Sequence, residues 1–177
     1  TLANVLLHES VHATVLVPGQ SWFDESLATF VADELSFEYL AERYGPASAE
    51  LDAYRAADAA WRARLARLLD AHATLEALYA SDRPEAEKLR QKASLLAALT
   101  RELALDRPAN NATLLGVKLY GTGMPELAAL LAACGRDWPR FLGAVGSLRP
   151  RDFPAPQTED FAPVVDALVS WGCEPLR

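Results

Sequence analysis

The sequence predicts an almost entirely α-helical fold, and three observations carry that expectation. Alanine and leucine, the best helix formers, supply 33 and 29 of the 177 residues, against 10 valines and no isoleucine. Apolar residues recur at spacings of three and four over long stretches, the period of a helix with one buried face. Pro-Gly, Gly-Pro and Asp-Arg-Pro clusters fall between those stretches, where a helix must stop or restart.

The elements follow in order. Residues 1 to about 17 form an apolar helix that ends at Pro18-Gly19. A second helix starts at once, because Ser21 with Asp24 three residues later has the form of a capping box and the acidic Asp24 and Glu25 suit the positive end of the helix dipole; it runs to about Tyr44, before Gly45-Pro46. From Leu51 the positions Leu51, Tyr54, Trp61, Leu65, Leu68, Leu75 and Tyr79 alternate by threes and fours, with Asp58 and His72 in the missing steps, a coiled-coil seam. Asp82-Arg83-Pro84-Glu85 reads as the cap and first turn of its antiparallel partner, so residues 46–105 are expected to form a helical hairpin projecting from a single helical domain of residues 1–177. Three shorter helices are expected near 110–120, 125–134 and 137–148, then a Pro-rich loop from Arg149 to Pro156 and a last amphipathic helix through Trp171.

Composition narrows the function classes. With 51% apolar and 23% charged residues the chain is globular, not disordered, and no run of 18 uncharged apolar residues exists to span a bilayer. A net charge of -7 provides no basic field for a polyanion, so nucleic acid is not an expected partner. Cys134 and Cys173 form no Cys-x-x-Cys pair; Cys134, at a helix end beside Gly135, reads as a buried structural thiol, with a single bridge between the two left open. The helical pattern is already running at the first residue, without the basic start or small-residue cleavage site of a signal peptide, and this predicts an upstream segment.

The chemistry concentrates in His8-Glu9-Ser10-Val11-His12, an HExxH on a helix. Residues four apart share a helical face, so both imidazoles reach one ion while Glu9 stands beside them, placed to hold a water. That arrangement suits zinc, whose catalytic sites take three protein ligands and leave a fourth position open. Glu25 is the expected third ligand. His12 lies about seven residues before the Gly19-Gln20 turn and Glu25 about five after it, similar heights on two antiparallel helices rising about 1.5 Å per residue. Ala28, Thr29, Ala32 and Asp33 continue that face with small or polar side chains, which permits close approach. Asp24 reads as a cap, and His72 as a seam residue, not a ligand.

Asp24-Glu25-Ser26-Leu27-Ala28-Thr29-Phe30, placed a short loop after the HExxH, resembles the second motif of the glutamate-zincins, with Asp24 in place of the usual Asn of their aminopeptidase members. Leu78-Tyr79-Ala80-Ser81-Asp82, Glu85-Ala86-Glu87-Lys88, Asn110-Asn111-Ala112 and Leu119-Tyr120 extend the resemblance over most of the chain to the bacterial family named putative aminopeptidases, predicted zinc-dependent lipoproteins. The Gly-Ala-Met-Glu-Asn exopeptidase motif of the large zinc aminopeptidases is absent, and Gly123-Met124-Pro125-Glu126 lies downstream of the HExxH, not upstream. The resemblance implies a zinc peptidase acting on peptide substrates in the cell envelope, with membrane attachment only through an upstream lipoprotein segment. It also implies a transition-state hydrogen bond from Tyr120, whereas a helix-end or core tyrosine is the plainer reading. An upstream portion would have to supply the edge strand that holds substrate in zincins.

The expected chemistry is peptide hydrolysis with Zn²⁺ held by His8, His12 and Glu25, and Glu9 as general base and then acid. Two rivals are consistent with parts of the pattern. A carboxylate-bridged di-iron bundle would use Glu9-x-x-His12 but needs a second such element, which the sequence lacks. A binding or scaffold module would keep the zinc as a structural or vestigial feature, and has no use for Glu9.

Overall fold

The computed structural model describes residues 2–174. They are helical as expected: α1 (Leu2–Thr14), α2 (Ser21–Tyr44), α3 (Ala49–Ala80), α4 (Glu85–Glu102), α5 (Asn111–Gly121), α6 (Met124–Ala133), α7 (Trp138–Val145) and α8 (Ala162–Ser170), with one 3₁₀ turn at Pro150–Asp152 and no strand among the described residues. Contacts divide the described residues into two units, one of residues 2–52 and 119–174, the other of residues 53–118.

In the first unit α1 and α2 form the most closely packed helix pair. Pro18 ends the apolar run and Gly19, at φ 82°, takes the left-handed conformation that lets the chain reverse within a few residues. Phe23, Leu27 and Phe30 point from α2 into a core completed by Val11 of α1 and Val15 just after it, Leu127, Leu130 and Leu131 of α6, Phe141 of α7, and Phe161, Val165 and Leu168 in and just before α8. Phe23 meets Phe153 and Phe161 edge-on at 5.4 and 5.5 Å, the favoured aromatic geometry. Gly123 is held to glycine twice over, by φ 71° and because a Cβ there would lie 2.3 Å from the Phe161 ring.

Four local expectations give way to tertiary contacts. The first helix stops at Thr14, short of 17. The capping box at Ser21 does not form: Gln20 is the N-cap of α2 and makes no side-chain cap bond, while the Asp24 carboxylate is taken by the backbone N–H of Val17. Asp82 does not cap α4, which begins after Pro84. Cys134 is no free thiol; it is bonded to Cys173, 39 residues on, because α6 packs on α8 and brings the two helix ends together.

The second unit contains the expected hairpin helices together with most of α5. Arg67 of α3 donates to Glu102 near the end of α4 at 2.7 Å, and Lys88 near its start donates to the Tyr79 carbonyl at 2.8 Å, so the helices run antiparallel. The buried seam is Leu68, Ala71, Leu75 and Leu78 against Leu99, with Ala109 and Leu114 beyond it. Trp61 and Tyr79 of the expected stripe are 50% and 43% exposed. For Trp61 the reason is length: α4 has 18 residues and α3 has 32, so the first half of α3 finds no partner in α4.

Closing a 39-residue loop, the Cys134–Cys173 bridge stabilises the fold by about 4 kcal/mol through the entropy it removes from the unfolded chain. The Cys134→Ala/Cys173→Ala double variant is therefore expected to unfold at a clearly lower urea midpoint, with a slope no shallower than the parent's because its unfolded chain is less constrained, measured by circular dichroism.

Candidate metal centre

The site is built where α1 and α2 run side by side. Ala28 and Ala32 are buried at the contact, and their small side chains let the α1 backbone come close. The pair is pinned at two heights. Next to the turn, Asp24 Oδ1 accepts from Val17 N at 3.0 Å; toward the other end, Asn4 Nδ2 donates to Asp33 Oδ1 at 2.9 Å. The turn itself is held from outside. Gln20, 1% exposed, donates from Nε2 to the Ala155 carbonyl at 2.8 Å and accepts at Oε1 from Thr158 N at 3.0 Å, while Gln157 N donates to the Gly19 carbonyl at 2.7 Å. The Pro-rich loop is thus a latch across the α1–α2 turn.

With the helices in this register, three donor atoms converge. Glu25 Oε2 lies 3.3 Å from His8 Nε2 and 3.6 Å from His12 Nε2, and the two imidazole nitrogens are 3.2 Å apart. All three side chains are about a fifth to a quarter exposed, so the cluster is anchored on the core side and open on the other. His8, His12 and Glu25 can hold a metal ion, and they are the one such group among the described residues. Glu9, one position round α1 from His8, is exposed beside the cluster.

Tyr120, at the end of α5, is brought to the same place. Its ring centroid lies 6.2 Å from that of His8, and the charge of Glu25, then partial burial, then the charge of Glu9 raise its phenol above the ordinary tyrosine value. It is 45% exposed, not a core residue. The Asp24 carboxyl is likewise pushed up by burial, an effect only partly countered by its bond from Val17 and by nearby His12.

Other residues weighed on sequence lie elsewhere. His72 pairs with Glu76 through Nδ1 at 3.3 Å in the hairpin unit. Asn110 caps α5, accepting from Thr113 N at 3.0 Å, and Asn111 bonds to the Tyr79 hydroxyl. The supports Asn4, Gln20, Ser26, Asp33 and Gln157 escaped sequence reasoning; their partners are 29 to 138 positions away, except that Asp33 had marked the small-and-polar face.

A family model described as Putative aminopeptidase matches residues 1–158. The chain belongs to the putative aminopeptidase family. No curated protein and no solved structure matches it. The match ends at Thr158, so it takes in both helices of the metal cluster, the hairpin, Tyr120 and the latch. The family name points to a peptidase working at amino termini.

Two outcomes follow for this aminopeptidase-family site. Glu25→Ala removes one of three donors and should cost more metal affinity than the ~10–100-fold typical of losing an outer-shell partner, as read by calorimetric titration; affinity of the parent should fall as acid protonates the imidazoles. Asp24→Asn keeps an acceptor for Val17 without a buried charge. Because the folded-state pKa of Asp24 is raised, its charge weakens the fold above that pKa and not below the ordinary aspartate value. The variant should unfold later than the parent at neutral pH in thermal scans, with an advantage that shrinks as pH falls toward about 4.

Proposed function

We propose that the chain is a zinc-dependent peptidase of aminopeptidase type, with His8, His12 and Glu25 as zinc ligands and Glu9 as the proton carrier. The observation that carries this reading is the size of the donor triangle. Zinc bonded at about 2.0–2.1 Å in a tetrahedron sets its ligands roughly 3.3 Å apart, and the three separations are 3.2, 3.3 and 3.6 Å. Three such ligands would occupy one face of a tetrahedron, and the exposed side of the cluster would leave a fourth direction for water or substrate.

When bound, zinc supplies Lewis acidity, acidifying a water toward neutral pH and polarising a peptide carbonyl. The protein does the rest. Glu9 is the only acid on α1 and lies outside the donor triangle, free to take the proton of the attacking water and hand it to the departing amine. The Tyr120 ring lies 6.2 Å from that of His8, and its hydroxyl is a donor for the oxygen that gains charge on the carbonyl carbon. The family name supports action on free amino termini. The buried disulfide supports an oxidising compartment, in keeping with the envelope location implied by the sequence resemblance.

Glu9→Gln tests the reading. It should leave zinc stoichiometry unchanged and lower kcat by about 10²–10⁴-fold against a peptide library, and N-acetylated peptides should resist cleavage that their free counterparts undergo. Undiminished hydrolysis in Glu9→Gln would remove Glu9 from the chemistry. No cleavage of any library member by the zinc-loaded protein would favour a binding module with a structural metal.

A further inference from the structure

Tyr120 sits on a different helix from the proposed metal ligands and follows them by 95 to 112 positions, so something must set its place against them. Ser26 is the residue immediately after Glu25 and is fully buried, and its Oγ donates to the carbonyl of Leu119, the residue immediately before Tyr120, at 3.1 Å. The Leu119 carbonyl belongs to the last turn of α5, where a helix leaves its carbonyls without intrahelical donors. One hydrogen bond therefore ties the backbone next to Tyr120 to the helix turn that carries Glu25. We propose that Ser26 is a positioning residue that holds Tyr120 over the metal cluster, so that the tyrosine hydroxyl meets the substrate at a set height relative to the ligands.

This rests on the zinc-peptidase reading for its catalytic consequence, but the positioning itself can be read without turnover. A serine at this point has no other role in the cluster: its hydroxyl is spent on Leu119, and it faces the α5 side of α2 while Glu25 faces α1. Alanine would keep the packing volume nearly unchanged and remove only the tether, and misplacing a catalytic group by about 1 Å can cost on the order of 100-fold in rate.

The test combines Ser26→Ala, Tyr120→Phe and the double variant. In Ser26→Ala, kcat is expected to fall roughly 10- to 100-fold, with KM and zinc stoichiometry near those of the parent. In the Tyr120→Phe background, Ser26→Ala should lower kcat no further, because its effect passes through the hydroxyl already removed. In the zinc-free protein, the nuclear Overhauser contact between the His8 and Tyr120 rings should weaken in Ser26→Ala, a change that a uniform loss of stability would not produce. The proposal is overturned if that ring contact persists in Ser26→Ala, if the losses from Ser26→Ala and Tyr120→Phe multiply, or if Ser26→Ala strips the zinc and so acts on Glu25 instead. Failure of the peptidase reading is separate: it shows as no cleavage of any peptide by the zinc-loaded parent and leaves the ring-contact result standing.

Discussion

The close antiparallel packing of α1 on α2 is the constraint on which the site depends. Neither helix holds a complete donor set. His8 and His12 are a donor pair only while α1 is helical, and Glu25 joins them only while the reversal at Pro18-Gly19 keeps the helices in one register. A slide of a single helical turn, about 5.4 Å, would exceed every donor separation in the cluster. The register is accordingly fixed redundantly: by Asp24 on Val17, by Asn4 on Asp33, by Ala28 and Ala32 in the contact, and by Gln20 in its latch to the 155–158 loop. Each of these buried or half-buried polar bonds contributes about 1 kcal/mol when made and costs more when a buried partner is left unsatisfied, which makes the register sharp as well as stable.

The same packing explains the site's openness. Val11 of α1 and Val15 just after it are spent on the core, so the histidines near them are held at their stems and free at one edge. A set of ligands already ordered by the fold loses little conformational freedom on taking up an ion, and an ion that binds only the folded chain stabilises it in return. The alignment of Leu127, Leu130, Leu131, Phe141 and Phe161 beneath α2 is thus coupled to chemistry they never touch, because they fix the helix that carries Glu25.

The hairpin unit follows a looser principle. Its core is a leucine seam over the second half of α3, and the first half carries exposed Trp61. No chemistry-bearing cluster accompanies it among the described residues, and its charged pairs, such as Arg67 with Glu102 and Lys118 with Glu76, lie at the surface where they add little stability.

Helix content, the order of the elements and the pairing of His8 with His12 could be read from the residues alone, because each is a local property: helix propensity is a per-residue quantity, and a rise of 1.5 Å with 3.6 residues per turn puts positions four apart on one face whatever surrounds them. Glu25 was within reach for a related reason, since the turn is short enough that counting residues gives the height of each side chain. Asp24 and Asp82 looked like caps because capping is also judged locally, but a backbone N–H seven residues away claimed the first and Pro84 displaced the second. The Cys134–Cys173 bond, the Gln20 latch and the carbonyl beside Tyr120 that Ser26 holds bridge 39 to 138 positions. Contacts of that span follow from the closure of the whole core, a sum of many weak apolar contacts with no signature at any single residue, and so they came into view only with the folded chain.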